Sequence, residues 1–412
     1  MAFLISGGKP LYGCVRAQGA KNAALPMLFA SLLCKEPVTL YGVPDIGDVR
    51  VTLSLLEEFG VSIAWDRDGS LTLDARGAEL PSEAPKAAGS IRASSYLLGA
   101  ALTRFGEVCI PYPGGCSFGA RPLDYHRAGL ASLGISWQED ETGITVKKEK
   151  GRASRFSLPY PSVGATVNFI LAALGIAGES TLFGYAREHH VLDFISFLRE
   201  MGAKIHVEGD LLRIEGGSLQ GGTYTVTPDA VEAGTYLIAA AATGGNVTVE
   251  RVRYGELSPL LLAFGKMNIP FRFSGDTVTV YRPRRILGIT VTAAPYPGFP
   301  TDLHPPMAVL LSRAEGGGAI CDLVWEERFS YVEQLKKMGF RARLTPQTVH
   351  IHETKWKGAI VEAPDLRGGA ALVSAALIAE GESVVEREEL ILRGYEMLPE
   401  KLFSLGADIR VT

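Results

Sequence analysis

At 412 residues the chain is too long for one ordinary hydrophobic core, so two or more domains are expected. A hydrophobic fraction of 47% and a charged fraction of 21% are those of a globular protein, and a formal net charge of -4 leaves no basic excess to displace counterions from a nucleic acid. The five cysteines are scattered and form no Cys-x-x-Cys pair, no apolar run reaches membrane-spanning length uninterrupted, and neither His189-His190 nor His350-x-His352 has a familiar metal spacing. A cytoplasmic protein without membrane, nucleic-acid or metal partners is the expectation.

In chain order, a leading strand, 1–17, precedes Lys21-Asn22 and a run from Ala23 to Cys34 that is apolar on nearly every face, as in a helix buried all round. A short strand follows from Val38 to Pro44. Asp45 and Asp48 then offer N-caps for an amphipathic helix, Val49 to Phe59, stopped by Gly60. Two strands, Val61 to Trp65 and Ser70 to Asp74, close the unit around an Asp68-Gly69 turn. The same order recurs from Ile91-Arg92, Ser162-Val163-Gly164, Val231-Glu232, Thr301-Asp302 and Asp365-Leu366-Arg367. The amphipathic helices stop at Gly60, Gly134, Gly202, Asn268, Gly339 and Gly406, at spacings of 66 to 74 residues. Such a period with matching punctuation predicts six repeats in two compact groups of three. The extended piece Gly221 to Asp229 reads as the linker between the groups, and the leading strand is left over to complete the second group.

Charge marks the repeat openings. Lys21-Asn22, Arg92, Ser162, Glu232, Asp302 and Arg367 begin buried helices; Arg121, Arg187, Arg253, Arg328 and Arg393 stand before amphipathic ones. A cation at a helix start opposes the helix dipole by a few tenths of a kcal/mol up to about 1, and a bound anion reverses that sign. Surface ion pairs account best for Arg187 and Arg253. An anion site is the stronger reading for Lys21, Arg121, Arg328, Arg367 and Arg393. Asp302 is either an N-cap or a general base kept ionised by neighbouring cations. The stretch Pro113-Gly114-Gly115-Cys116-Ser117-Phe118-Gly119-Ala120-Arg121-Pro122-Leu123-Asp124 resists regular structure. It is either a plain turn that holds a cysteine or a thiol placed beside an anion site.

Taken together, Gly19-Ala20-Lys21-Asn22-Ala23-Ala24-Leu25-Pro26, Arg92-Ala93-Ser94, the cysteine loop, Ser162-Val163-Gly164-Ala165-Thr166, Phe299-Pro300-Thr301-Asp302, Glu327-Arg328-Phe329, Asp365-Leu366-Arg367 and Arg393-Gly394-Tyr395-Glu396 resemble the UDP-N-acetylglucosamine 1-carboxyvinyltransferase family over essentially the whole chain. The resemblance implies an α/β fold: a two-domain inside-out α/β barrel with six βαβαββ units, three per domain. The domains would be 21–227, and 1–20 plus 228–412, with the active site in the cleft between them. It implies enolpyruvyl transfer from phosphoenolpyruvate to the 3-hydroxyl of UDP-N-acetylglucosamine, the committed step of peptidoglycan synthesis, with no cofactor and no metal. Cys116 would protonate the methylene carbon and be the target of fosfomycin. The phosphate set would be Lys21, Arg121 and Arg393, the carboxylate pair Arg328 and Arg367. Asn22 would lie beside them, and Asp302 would meet the attacking hydroxyl. Asn22, Arg92, Arg121, Pro122, Leu123, Asp124, Ser162, Val163, Gly164, Asp302 and Val324 would hold the UDP-sugar. The chain departs from the family at Tyr96, Tyr160, Ala230, His304 and His189-His190, where tryptophan, lysine, arginine, glutamine and an Arg-Glu-Pro-Glu-Ile run are usual. Those on the nucleotide side raise the alternative of a different nucleotide or nucleotide-sugar acceptor.

Overall fold

All six residues marked as helix stops adopt a left-handed backbone: φ is 78° at Gly60 and Gly134, 95° at Gly202 and Gly339, 60° at Asn268 and 90° at Gly406. In this computed structural model, which describes residues 1–114 and 122–412, they follow the helices Gly47–Glu58, Asp124–Ser132, His189–Glu200, Tyr254–Lys266, Tyr331–Lys337 and Leu398–Ser404. A left-handed residue lets the chain turn sharply out of the last helical turn, and asparagine is the side chain that tolerates it best after glycine. Cys116 and Arg121 lie outside the described residues.

The described chain forms two compact units, one of residues 1–18 and 228–412, the other of 19–114 and 122–227. In the second, the sheets are Gly222–Thr225, Val38–Tyr41, Leu71–Asp74 and Ser62–Trp65; Glu107–Ile110, Gly143–Lys148 and Ile135–Asp140; and Lys204–Glu208, Leu211–Glu215, Glu179–Phe183 and Arg155–Ser157, in order of pairing. The Glu179–Phe183 strand alternates buried and exposed side chains, so one face looks inward and the other to solvent. The helices inside, Lys21–Ala30, Leu97–Phe105 and Val163–Leu174, are apolar on most faces; in the first, every residue but Asn22 is buried. The other unit repeats the plan with helices Ala230–Thr243, His304–Leu311 and Leu366–Ile378, which pack on one another.

Strand pairing corrects one expectation. The stretch read as a linker contains the strand Gly222–Thr225, paired in parallel with Val38–Tyr41. It supplies the first strand of the first repeat, whose helix and remaining strands come at the other end of the unit's sequence. Tyr12–Arg16 does the same for the fourth repeat by pairing in parallel with Asn246–Glu250. Ala2–Ser6 lies between Glu382–Glu386 and Asp408–Val411 in the sixth. The Asp45 and Asp48 caps are also corrected: the helix there begins at Gly47 after Ile46 and has no side-chain cap, leaving Asp48 in its first turn.

Candidate functional site

In the unit that holds residues 228–412, the helix Leu366–Ile378 is capped by Asp365, whose Oδ1 accepts from the backbone N–H groups of Arg367 at 2.9 Å and Gly368 at 3.0 Å. The cap fixes Arg367 in the first helical turn, where it is only 2% exposed. Burial and the helix dipole both oppose a cation there, so a carboxylate must answer it. Asp302 does: its Oδ2 accepts from Arg367 Nε at 3.2 Å and lies 3.1 Å from Nη2. Its Oδ1 lies 2.8 Å from Nη1 of Arg328, which is 3% exposed. One carboxylate thus sits between two buried guanidiniums, and the three side chains carry one net positive charge. Arg367 stacks over Tyr395, 5.2 Å from the ring centroid, and its Nη1 lacks a hydrogen bond of acceptable geometry among the described residues. Burial works against its charge, but Tyr395, Asp302 and Asp229 together hold its pKa above the ordinary arginine value. The arrangement suits a ligand carboxylate and a base kept ionised by its neighbours.

Asp302 is not an N-cap, because the short helical turn Thr301–Leu303 begins after Pro300 and carries no side-chain cap. Behind it lies a buried hub that the sequence did not signal. Asp322, fully buried, accepts four hydrogen bonds. Oδ1 receives the backbone N–H groups of Val324 at 2.8 Å and Trp325 at 2.9 Å; Oδ2 receives the Thr301 hydroxyl at 2.7 Å and His304 Nδ1 at 2.9 Å. Arg328 Nη1 in turn donates to Thr301 Oγ1 at 3.0 Å. The hub therefore also fixes the backbone of Val324. Arg393 is half-buried and ends the short helix Glu388–Leu392 instead of opening an amphipathic one, which begins later, at Leu398. Its segment is held by Gln18, whose Nε2 donates to Gly394 O at 2.9 Å and whose Oε1 accepts from Glu396 N at 2.7 Å. Arg187 pairs with Asp210 at 2.7 Å as a surface ion pair, and the exposed Arg253 reaches Glu256, whose side chain is largely buried, at 3.7 Å.

In the unit that holds 19–114 and 122–227, Lys21 opens the first buried helix and its Nζ lies 3.1 Å from Asp48 Oδ2, both groups largely buried. Asn22 follows it, half-buried. Arg92 begins the turn Arg92–Tyr96. Ser162 caps Val163–Leu174, its Oγ accepting from Ala165 N at 3.3 Å. Pro122 is exposed, and Leu123 and Asp124 begin Asp124–Ser132, which carries the buried His126. A Cβ built on Gly164 would come within 2.8 Å of the His126 ring, so glycine is what lets Val163 and Gly164 approach that helix. His126 Nδ1 accepts from Asn168 Nδ2 at 2.8 Å, and burial first, then the Arg92 cation, depress its pKa to about 3. The structure thus brings Arg92, the Asp124 helix and Gly164 into one neighbourhood, while Lys21 meets a carboxylate that the sequence pattern assigned to capping. Among the described residues no group of three His, Cys, Asp or Glu side chains is placed to hold a metal.

The model of the family EPSP synthase (3-phosphoshikimate 1-carboxyvinyltransferase) matches residues 5–402, which defines the class as the carboxyvinyl transferases. The structure of the enolpyruvyl transferase NikO from Streptomyces tendae superposes with a TM-score of 0.91 at 25% identity, over 100% of this chain and 98% of that one. EPSP synthase from Acinetobacter baumannii, at 20% identity and a TM-score of 0.77 over the whole of both chains, shares the fold. UDP-N-acetylglucosamine 1-carboxyvinyltransferase from Halothermothrix orenii is 40% identical over 99% of both chains. UDP-N-acetylglucosamine 1-carboxyvinyltransferase 3 from Caldanaerobacter subterraneus subsp. tengcongensis is 41% identical over 99% of this chain and 98% of its own. The chain belongs to the family of UDP-N-acetylglucosamine 1-carboxyvinyltransferases.

Proposed function

We infer that this chain transfers the enolpyruvyl group of phosphoenolpyruvate to the 3-hydroxyl of UDP-N-acetylglucosamine and releases phosphate, the committed step toward peptidoglycan. The observation that carries this reading is the identity of about two residues in five, over nearly the full length, to transferases named for that substrate and group. In the addition step, a proton goes to the methylene carbon of phosphoenolpyruvate while the sugar oxygen bonds to its C2, giving a tetrahedral ketal. In the elimination step, phosphate leaves C2 and a methyl proton is lost, restoring the double bond.

For the residues we propose the following roles. Cys116 delivers the proton to the methylene carbon. Asp302 takes the proton from the attacking hydroxyl; its place between Arg328 and Arg367 supports this by keeping it ionised until the hydroxyl arrives. Arg328 and Arg367 bind the carboxylate of phosphoenolpyruvate, and Lys21, Arg121 and Arg393 bind its phosphate beside Asn22. Asn22, Arg92, Arg121 to Asp124, Ser162 to Gly164, Asp302 and Val324 hold the UDP-sugar. The cytoplasm is the proposed location; the scattered cysteines fit a reducing compartment, and among the described residues no helix is long and apolar enough to cross a membrane.

The test is release of phosphate from phosphoenolpyruvate. It should require UDP-N-acetylglucosamine and vanish in Cys116→Ala; no release by the folded wild-type protein would overturn the reading. A panel of other nucleotides and nucleotide sugars, run in the same assay, should turn over more slowly. The Tyr96 ring packs edge-on against Phe29, with centroids 6.3 Å apart, so a core contact accounts for that departure from the family without a change of acceptor.

A further inference from the structure

His304 stands two residues after Asp302 and has no exposed surface. A buried imidazole with nothing to do is costly, because each ring nitrogen needs a partner. Both have one. Nδ1 lies 2.9 Å from Asp322 Oδ2, and Nε2 lies 2.7 Å from the Tyr331 hydroxyl. Phe329 packs against the ring on one side, centroids 4.9 Å apart, and Tyr331 meets it edge-on at 5.4 Å. The tyrosine can only donate to Nε2 if Nδ1 carries the proton, and that proton then points at Asp322. Burial lowers the imidazole's pKa despite the carboxylate beside it, so the ring stays neutral and serves as a fixed donor. Asp322 is kept ionised against its own burial by this bond and by the Thr301 hydroxyl. From Asp322 the chain of contacts runs through Thr301 Oγ1 to Arg328 Nη1, and from there to Asp302 Oδ1.

We propose that His304 and Asp322 are a positioning pair, which through the Thr301 hydroxyl sets the orientation of Arg328 and hence of Asp302. The proposal rests on the reading of Asp302 and Arg328 as reacting-site residues. Neither His304 nor Asp322 touches substrate in this account. Their contribution is to hold a hydroxyl at one rotamer, so that Arg328 divides its Nη1 between Thr301 and Asp302 in a single geometry. The same carboxylate fixes the backbone N–H of Val324, so one buried group aligns two parts of the site.

The experiment is a double-mutant cycle on the full chain, with steady-state kinetics in phosphoenolpyruvate and in UDP-N-acetylglucosamine. His304→Leu should lower kcat by about 10- to 100-fold with less than about a threefold change in KM for the UDP-sugar. His304→Gln should recover most of that loss, since its amide can donate to Asp322 and accept from Tyr331. Thr301→Val should show the same kcat loss as His304→Leu, and Thr301→Ser should not. The double variant His304→Leu/Thr301→Val should be no worse than either single one, because both cut the same relay. Wild-type kcat in folded His304→Leu, or losses that multiply in the double variant, overturns the pair's role. If His304→Leu fails to fold, Thr301→Val decides alone: unchanged kcat overturns the proposal. Asp302→Asn and Arg328→Lys separate the two levels. If these retain full turnover, the reading of the site has failed; if they are impaired while Thr301→Val and His304→Leu are not, only the positioning pair has.

Discussion

The two units share one repeat plan, with four strands in five of the six sheets and three in the sheet of Glu107–Ile110 among the described residues, but fill their polar interiors differently. In the unit of 228–412, buried carboxylates cap two of the three central helices, Asp229 for Ala230–Thr243 and Asp365 for Leu366–Ile378. Around them lie Arg328, Arg367, Asp322 and Glu232, all at most 3% exposed. In the other unit, the corresponding helices begin after Ala20, Tyr96 and Ser162; its buried polar groups are mostly neutral, among them His126, Asn168, Ser94, Ser95 and Thr166, beside the Lys21–Asp48 ion pair and Asp193. Hydroxyls, an amide and a neutral imidazole satisfy backbone groups at modest cost. Buried charges do so only when paired, and a pair fixes its partners' geometry. The difference teaches where rigidity has been placed: the charged unit holds Asp302 between two arginines before any substrate arrives.

The sharpest way to break this comparison is Asp302→Asn. The carboxamide keeps the size but cannot take a proton and no longer answers two buried cations. We expect kcat to fall by about 10²- to 10⁴-fold. The same change should lower stability, since Arg328 and Arg367 lose their shared counter-ion. Phosphate release and chemical denaturation check the two effects. Turnover within about threefold of wild type would show that the charged cluster serves the fold alone.

This cluster was only partly legible in the sequence. Asp302, Arg328 and Arg367 were visible because each stands at a helix opening, where a charge is out of place without a partner. Asp322 was not, because it lies inside a strand ending, Gly318–Asp322, whose last residue gives no periodic signal. Its partners lie 18 and 21 residues away, a pairing that only the fold creates. His304 stands out in the sequence only by replacing the family's usual glutamine, and its role needs Tyr331, 27 residues on. The repeat was readable to its stops, because a left-handed φ demands glycine or asparagine at each. The strand Gly222–Thr225 reads as linker in the sequence, since Gly221-Gly222 and Pro228 bracket a run too short to show alternation, with half its residues exposed. Asp48 looked like a cap because sequence position cannot distinguish a side chain that turns back to its helix from one that reaches Lys21.

Helix contacts offer a second test, smaller than the first. A Cβ on Gly99, in Leu97–Phe105, would lie 2.9 Å from the Asn168 carbonyl oxygen and 2.9 Å from Leu171 Cβ in the facing helix. Backbone cannot yield there. On Gly234 of Ala230–Thr243 the added atom would meet Leu303 Cδ1 at 2.7 Å and Leu260 Cδ2 at 3.2 Å, which are the ends of side chains that can rotate. Gly99→Ala should therefore destabilise by about 3 kcal/mol and Gly234→Ala by about 1. Denaturant midpoints measure both. Because Leu303 adjoins Asp302, Gly234→Ala should lower kcat more than its small stability loss suggests, and the reverse should hold for Gly99→Ala. Equal kinetic effects would erase the distinction between a unit that sets the proposed base and one that does not.

The last pair of predictions sets the units against each other in pH. In the charged unit, burial pushes the Glu232 carboxyl up to about 7, opposed by Lys401 at 2.7 Å and the Gln18 N–H at 2.6 Å. The folded state therefore holds this proton more tightly than the unfolded chain does. Its stabilising effect is complete below about 4.5, the ordinary value, and is lost as pH rises through 7. Between pH 5 and 8 the wild type should lose about 2–3 kcal/mol relative to Glu232→Gln. In the other unit, His126 runs the other way. Its folded pKa is depressed to about 3 from 6.5, so the unfolded chain binds the proton first. Its stabilising effect is complete above 6.5 and drains away as pH falls toward 3. Between pH 6.5 and 5 the wild type should lose about 2 kcal/mol relative to His126→Gln, whose carbonyl can still accept from Asn168. Thermal denaturation of the three proteins across pH 5 to 8 should give difference curves of opposite slope: the Glu232 variant gains on wild type toward alkali, the His126 variant toward acid. Two curves of the same sign would mean that the buried ion pair with Lys401, and not burial, governs Glu232, and that both units meet their polar interiors in the same way.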